Sequence, residues 1–474
     1  MAEDPAQAID ARLAAALPLG SLYAVGGRVR DELRTAADGI PRPAKDLDYI
    51  VLGMGLDELV DRLSTVGRAD LVGSSFAVVK LTVAGTTVDV ALPRRERSTG
   101  VGHLDFEVES GPDVSLEDDL ARRDFRMNMM ARALPDGAIV DPYHGAADVA
   151  ARRIDLLRPE AFEEDPLRML RACQFAARFE FEISEATMAA MRSAAHLVKT
   201  VSAERIRDEV IKMLDQARRP SLGLEAMRAG DLLPYVFPDV AAGVGVEQNR
   251  FHAFDVYHHN LRTMDATAPG DVTLRLAALL HDVAKPQTKM IDDDGAHFYG
   301  HETVGAEVAR SLLEGLRFPN QVIADVEQLV RNHMYSADPA VQPRTARRFI
   351  RRIGPDRLDR QFALRAADIV GSGLPKRGTD NEAFEARVRA IMDEKPALSV
   401  RDLAVSGNDV IAALVEAGRL PRGSRGGPDV GAVLHRLLEG VLDDPARNER
   451  EKLLEEARSL IAMDGAIVSR ETSR

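Results

Sequence analysis

At 474 residues the chain is too long for one ordinary core and calls for three or four structural units. Its composition, 45% hydrophobic and 29% charged with no Trp, is that of a globular, helix-rich protein, and its net charge of −13 excludes a broad nonspecific nucleic-acid coat while leaving room for a local basic groove. One cysteine, Cys173, excludes an internal disulfide framework and fits a reducing compartment; with an acidic start, Met1-Ala2-Glu3-Asp4-Pro5, and no apolar run of membrane-spanning length, the expected location is the cytoplasm.

In chain order, an apolar strand, Leu22–Val25, runs into Gly26-Gly27 and a basic helical start, Arg28-Val29-Arg30-Asp31. A second strand over Leu47–Leu52 follows Asp46, and Asp57–Ser64 carries a helical pattern. Further strands are expected at Ala77–Val83 and Thr87–Leu92. After Asp141-Pro142-Tyr143-His144-Gly145 the pattern turns helical. Glu164 to about Val240 is helix-rich with short breaks, and Cys173 falls in an apolar run where burial makes it inert. A region bearing His and Asp spans roughly Glu247 to Arg389, and the tail from Pro396 holds a Gly/Pro-rich loop, Pro421–Pro428.

Asp46 and Asp48 are i and i+2 on one strand, so they share a face while Leu47 and Tyr49 point away. Convergent carboxylates suit Mg2+, which binds through one or two carboxylates plus substrate phosphates. The double glycine lets the backbone approach those phosphates, and the helix start offers free N–H groups to an anion. Each feature alone reads as a turn or a solvated strand edge; in this order they point to nucleotidyl transfer. Asp89, alternating with Val88 and Val90, is a third acid. It can complete the metal site, act as base on an RNA hydroxyl, or serve as a structural partner for an arginine.

With these residues in view, the chain resembles the class II tRNA nucleotidyltransferase (CCA-adding enzyme) and bacterial poly(A) polymerase family with a fused HD domain. The resemblance runs from about Leu22 to about Arg458. Gly26-Gly27-x-Val29-Arg30-Asp31 matches the family's first motif and Asp46/Asp48 its metal-binding pair. Arg122-Arg123-Asp124 with Asn128 resembles the ribose and triphosphate motif, although Glu117, Asp118 and Asp119 just upstream offer the arginines a plainer role as surface charge. Arg94 to Gly102 falls where the family has a flexible loop that assists the change from C to A. Asp141-Pro142 and Gly145 to Asp148 resemble the hinge segment. Glu164-Asp165-x-x-Arg168 matches the base-reading motif, and Glu204-Arg205-x-x-x-Glu209 the brace after it. Asp165 and Arg168 are i, i+3 neighbours, one offering only acceptors and the other only donors, so they can read a base edge without a template; Asp165 before Pro166 is equally a helix cap.

The second half carries His259, His281-Asp282, His301, His333 and Asp368, which resembles the HD phosphohydrolase pattern. The resemblance implies a core site of His259, His281, Asp282 and Asp368, with His301 and His333 supporting a second metal. Such ligands suit several divalent ions, so the identity of this second metal is open. Lys285 can stabilise negative charge developing on a phosphate ester. Arg344, Arg347, Arg348, Arg351 and Arg352 follow helical 3/4 spacing opposite Ala346, Phe349, Ile350 and Ile353; Arg344, Arg348 and Arg351 are candidates for an RNA backbone, against a solvated helix paired with its own acids.

The expected architecture is α+β: a polymerase-β-like nucleotidyltransferase head over 18–155, an all-helical neck over 156–246, an HD-type domain over 247–390 and a helical tail over 391–474 that contacts tRNA. The expected nucleotide-binding set is Gly26, Gly27, Arg30, Arg123, Asp124, Asn128, Asp165 and Arg168, with Asp46, Asp48 and Asp89 catalytic. The expected reaction is addition of CCA to tRNA 3′ ends from CTP and ATP with Mg2+. Poly(A) polymerase is the neighbouring alternative, and an HD metallophosphohydrolase with an RNA-binding head is the alternative from another class.

Overall fold

The computed structural model describes residues 5–42, 47–72, 78–98, 106–135, 137–293, 295–375 and 378–463. The chain divides into two compact units: Met1–Val244 with Ala268–Val272 and Leu312–Pro319, and Gly245–Thr267 with Thr273–Ser311 and Asn320–Arg474.

The first unit opens with helix α1 (Pro5–Ala16), strand β1 (Leu22–Val25), α2 (Gly27–Asp38), β2 (Asp48–Val51), α3 (Leu56–Ser64), β3 (Arg68–Val72), β4 (Val78–Val83) and β5 (Thr86–Ala91). There follow the pair β6 (Arg94–Ser98) and β7 (Phe106–Ser110), then α4 (Leu116–Ala121), β8 (Ala131–Ala133) and β9 (Ile139–Val140). Seven strands form one sheet in the order β3-β4-β5-β2-β1-β8-β9. Its pairings are antiparallel except β2 with β5, which run parallel and set Asp48 opposite Asp89.

Period-two alternation divides the sheet between two cores. Leu22, Ala24, Tyr49, Val51, Val88 and Val90 face one way, packing with Leu13 of α1 and with Leu59 and Leu63 of α3. Val25 and Ile50 face the other way, against Leu116 and Leu120 of α4, Met129 and Ala131. A buried side chain of this size contributes about 1.5–3 kcal/mol. Asp48 and Asp89 alternate with the first set and so belong to the second face. Arg28 anchors α1 to this frame, pairing with Asp10 at 2.5 Å, and the Tyr49 hydroxyl donates to the same carboxylate at 2.6 Å.

The strands read from sequence at Leu22–Val25, Leu47–Leu52, Ala77–Val83 and Thr87–Leu92 appear within a residue or so of those bounds. Two elements were not legible. β3 is almost wholly exposed and shows no buried alternation. Part of the segment expected as a loop forms the paired arms β6 and β7, with Arg94 opposite Ser110; its Gly100-Val101-Gly102 lies outside the described residues.

Helices then dominate: α5 (Gly145–Ala150), α6 (Ala161–Glu164), α7 (Leu167–Phe179), α8 (Glu185–Ala194), α9 (Ala203–Gln216), α10 (Ser221–Ala229), α11 (Leu233–Val236) and α12 (Pro238–Ala241). A two-residue parallel pair, β10 (Arg153–Ile154) and β11 (Glu182–Ile183), interrupts them. Cys173 is fully buried on α7.

The second unit contains α13 (Val256–Asp265), α14 (Val272–Leu280), α15 (Lys285–Thr288), hairpin β12 (Met290–Asp292) and β13 (Gly295–His297), α16 (His301–Gly315), α17 (Asn320–Arg331), α18 (Pro343–Ile353), α19 (Leu358–Gly371) and α20 (Thr379–Asp393). Its last helices, α21 (Gly407–Glu416), α22 (Pro428–Asp443) and α23 (Arg450–Met463), share a separate core around Leu414, Leu437, Leu438 and Leu453. No helix among the described residues is long and apolar enough to cross a membrane.

Candidate active site and metal centre

Gly26 adopts φ +73°, a left-handed conformation that favours glycine, and turns β1 sharply into α2. A Cβ there would stand 3.0 Å from Arg123 Nη1 and 3.9 Å from Asp48 Oδ2. The turn therefore brings a guanidinium and a strand carboxylate to one point beside the open N-terminus of α2. Arg123 is held there by Asp119, fully buried on α4, whose two oxygens take Arg122 at 2.8 Å and Arg123 at 3.1 Å. Burial would raise the Asp119 carboxyl, but the two guanidinium groups hold it below the usual carboxylate range. Asp119 thus holds Arg123 at the cleft wall with Arg122 on its other oxygen, while its neighbour Asp118 pairs with Arg95.

Behind the turn, Arg30 donates to Asn128 Oδ1 at 2.6 Å, and Asn128 Nδ2 donates to Asp124 Oδ1 at 2.8 Å. Asp124 also accepts from Arg171 through Nε at 2.9 Å and Nη2 at 2.7 Å. Arg171 Nη1 lies 3.6 Å from Glu209 of α9, which accepts from Lys212 at 2.8 Å. Charge alternates along this chain, so each buried group has a partner of opposite sign or a hydrogen bond. Burial pushes Asp124 upward, and Arg171 with Asn128 overcomes it, leaving the carboxyl below its ordinary value.

The side chains of Asp165 and Arg168 take different partners, while Arg168 N donates to the Asp165 carbonyl at 3.0 Å. Asp165 sits between α6 and α7, accepting from Leu167 N at 3.3 Å and from Arg205 Nη2 at 3.2 Å on both oxygens. Arg168 Nη2 donates to the Arg122 carbonyl at 2.8 Å. The cap role of Asp165 and its place in the cleft hold together, with Arg205 as the brace.

These groups line one cleft of about 770 Å³. Gly26, Gly27, Arg30, Asp48, Arg123, Asp124, Asn128, Asp165 and Arg168 all border it. Asp89 does not. Its carboxylate stands in register beside Asp48 and pairs with Lys80 of β4 at 3.2 Å, so the partner is a lysine where an arginine was considered. Asp46 lies outside the described residues. Sequence reading missed Arg34, Arg42, Arg171, Arg178, Lys212 and Gln216 on the same walls. The signal for Arg171 was present: Asp165, Arg168, Arg171, Gln174 and Arg178 recur at three or four residues and mark one face of α7. Among the described residues, nine basic against four acidic lining residues make the cleft wall positive inside a chain of net charge −13, a local arrangement by which an acidic protein can hold a polyanion. Gln174, on the same lining, is 2% exposed, and its Nε2 has no hydrogen-bond partner among the described residues.

The hinge-like segment is wired into the same unit. Asp141 accepts from Gly145 N at 2.7 Å and Ala146 N at 2.9 Å, holding the start of α5. A Cβ on Gly145 would stand 2.1 Å from the Arg126 carbonyl, so only glycine fits. Arg126 in turn donates to both oxygens of buried Asp148 at 2.8 Å.

In the second unit, six sequence-singled residues converge. His259 of α13 and His281 after α14 approach at 3.0 Å between their Nε2 atoms, and each stands 3.3 Å from Asp282 Oδ2. Asp368 of α19 lies 3.3 Å from His259. The other oxygen of Asp282 faces His301 at 3.2 Å and His333 at 3.5 Å. The rings of His281, His301 and His333 are oriented through Nδ1, which donates to the carbonyls of Ala278 (2.9 Å), Phe298 (2.6 Å) and Val330 (2.7 Å). That fixes Nε2 as the acceptor aimed inward. Acceptor nitrogens and carboxylates this close repel unless a cation lies among them, so the donor set fits one divalent metal on each side of Asp282. The electrostatics agree: burial would lower His259, yet Asp282 and Asp368 raise it to about 9.

Lys285 is buried, 2.5 Å from Asp282 Oδ2, and donates to Gln248 at 2.6 Å. His252 was missed. It lies in the loop before α13, where no periodicity flags it, and its ring meets His259 edge-to-face at 4.7 Å. Burial and Lys285 push it down to about 3.

Of the arginines on α18, Arg347 is buried and donates to the carbonyls of Leu442 (2.6 Å) and Asp443 (2.9 Å) at the end of α22. Arg348 pairs with Asp443 at 3.1 Å, and Arg351 with Glu439. Most of the stripe therefore clamps α18 to α22, while Arg344 stays exposed.

A cleft that offers backbone N–H groups and arginines to a triphosphate beside a strand carboxylate belongs with the nucleotidyltransferases, here carried in one chain with an HD-type centre. The Poly A polymerase head domain family matches residues 22–155, the probable RNA- and SrmB-binding site of polymerase A residues 180–243, and the HD domain residues 256–388. The Multifunctional CCA protein of Nitrosococcus oceani is 35% identical over 372 residues, 75% of this chain and 86% of that protein. That of Verminephrobacter eiseniae is 32% identical over 432 residues, 88% and 96%. The chain belongs to the multifunctional CCA protein family. In fold it is similar to the crystal structure of the Bacillus stearothermophilus CCA-adding enzyme in complex with CTP, with TM-score 0.66, 22% identity and 97% of both chains covered. It is also similar to the Thermotoga maritima CCA-adding enzyme complexed with tRNA, with TM-score 0.54, 19% identity and coverage of 97% and 95%.

Proposed function

We propose that this protein adds C, C and A to the 3′ end of tRNA from CTP and ATP, without a nucleic-acid template. The observation that carries this reading is the meeting of Gly26, Asp48 and Arg123 in the same cleft as Asp165 and Arg168. The α2 start and Arg123 hold the triphosphate; Asp165 and Arg168 present acceptors and donors to the base; Asn128 and Asp124 set the floor between them. Asp48, with Asp46, would hold Mg2+, which neutralises charge on the phosphates when bound. The terminal RNA hydroxyl forms a bond to the α-phosphorus, the bond to the β-phosphate bridge breaks, and pyrophosphate leaves. Asp89, in register beside Asp48 although outside the cleft lining, would take the hydroxyl proton on leaving its ion pair with Lys80.

The second centre supports a phosphohydrolase. His259, His281, Asp282, His301, His333 and Asp368 would hold divalent metal, which lowers the pKa of a bound water. Water oxygen bonds to phosphorus of a ribose phosphate ester, the ester bond breaks, and the leaving ribose oxygen takes the proton that water gives up. Cyclic or terminal phosphates on damaged RNA ends are the substrate class.

The test supplies tRNA transcripts ending before CCA, after C and after CC, with labelled CTP or ATP singly and together. Products that stop after CCA support the reading; an untemplated run of A on any RNA replaces it with poly(A) synthesis.

A further inference from the structure

Hairpin β12–β13 leads straight into the second metal-ligating group. His297 ends β13, Phe298 gives its carbonyl to His301 Nδ1, and His301 begins α16. Between them stands Tyr299, 71% exposed. Tyr299 lies parallel to His297, with centroids 5.4 Å apart and planes within 5°. His297 is fixed from behind: its Nε2 donates to Asp292 at 3.0 Å, leaving Nδ1 to accept from the Tyr299 hydroxyl at 3.3 Å. One face of the tyrosine is thus backed by a braced ring, and its exposure leaves the other to solvent. Two peptide units separate Tyr299 from His301, at most about 7 Å between Cα atoms. Lys285 stands over Phe298 at 5.4 Å and contacts Asp282, so the same short segment borders a cation and the metal ligands.

We infer that Tyr299, backed by His297, is a stacking platform for the nucleobase of the nucleotide whose phosphate enters the histidine–aspartate centre. This rests on the phosphohydrolase reading and deepens it: the substrate is a nucleotide or RNA end recognised by its base as well as its phosphate. A flat, exposed ring accepts any base face, so the platform is tolerant of sequence, as a site serving varied damaged ends requires.

The chain has no Trp, so Tyr299→Trp creates a single emitter at the platform. Titrating this full-length variant with adenosine 2′,3′-cyclic phosphate is expected to quench its emission, while glycerol 2-phosphate, which has no base, leaves it unchanged. Emission unmoved by the cyclic nucleotide overturns the platform. In parallel, Tyr299→Ala raises KM for the cyclic nucleotide about tenfold without changing hydrolysis of glycerol 2-phosphate, and Tyr299→Phe restores the original KM. Equal losses on both substrates, or none on either, overturn the platform and leave the hydrolase reading standing. Hydrolysis of neither substrate by the unsubstituted, metal-loaded protein removes the hydrolase reading and the platform with it.

Discussion

Asn128 joins Arg30 to Asp124: its carbonyl oxygen accepts from the guanidinium at 2.6 Å and its amide donates to the carboxylate at 2.8 Å. The amide turns an acceptor to one neighbour and a donor to the other, which neither an aspartate carboxylate nor an alkyl side chain does. Asn128→Ala leaves two buried charged groups short of a partner and is expected to cost about 1–3 kcal/mol. Asn128→Asp places a second carboxylate against Asp124 and costs more. Thermal or denaturant unfolding of the two variants measures both effects, with nucleotide incorporation falling in the same order.

Asp48 and Asp89 test the strand carboxylates. Asp48→Asn is expected to reduce nucleotide incorporation by at least about a hundredfold with the unfolding midpoint unchanged. Asp89→Asn removes the proposed proton acceptor and falls in the range of about 10²–10⁴-fold typical of a lost general base. Retained activity in Asp89→Asn would assign that residue to its ion pair with Lys80 alone.

The proposed base reading by Asp165 and Arg168, with Arg205 holding Asp165, is tested by substitution. Asp165→Ala is expected to lower kcat/KM for CTP and ATP by about ten- to a hundredfold, since a site built to hydrogen-bond loses its selectivity when a partner is removed. Incorporation of UTP or GTP should rise relative to CTP and ATP. Arg205→Ala keeps both reading groups but frees Asp165 to turn, so selectivity should relax while CTP addition persists. Competition assays with all four nucleotides separate these outcomes.

Acid stability follows from the buried carboxylates. Asp31, Asp119 and Asp124 are each held below their ordinary value by facing guanidinium groups despite burial that would raise them. A folded pKa below the unfolded one, about 3.9, contributes stability that is complete above that value and lost as pH falls through the folded pKa. The contribution of these carboxylates to the melting temperature should be nearly constant from pH 8 to about 5 and be lost below about 4. Asp124→Asn should flatten part of that loss.

The arginines of α18 separate by partner. Arg344→Ala is expected to weaken tRNA binding and reduce its salt dependence by about one phosphate contact. Arg351→Ala loses its pairing with Glu439 and should act on stability, by less than about 1 kcal/mol, with the salt dependence unchanged. Binding isotherms at several salt concentrations distinguish them.

The sequence by itself determined the elements whose pattern is local. Leu22–Val25 is a short apolar run, Val88 and Val90 alternate with Asp89, the double glycine marks a turn, and the histidines and aspartates of the second half stand in a recognisable order. Such signals depend on side chains a few residues apart, which the chain itself fixes. What only the tertiary structure decided is who faces whom. Asp119 was one of three adjacent acids until burial placed it, and not Glu117, against both Arg122 and Arg123. Arg171 entered the cleft because α7 turns that face toward Asp124, and His252 came against His259 from a loop with no period to betray it. Arg348 and Arg351 matched a solvated basic face in sequence, yet their partners Asp443 and Glu439 lie 95 and 88 residues further along the chain. Charge pairs of this kind are set by which surfaces pack together, and packing is driven by apolar burial, which is non-directional and carries no record of which polar groups it will bring into contact.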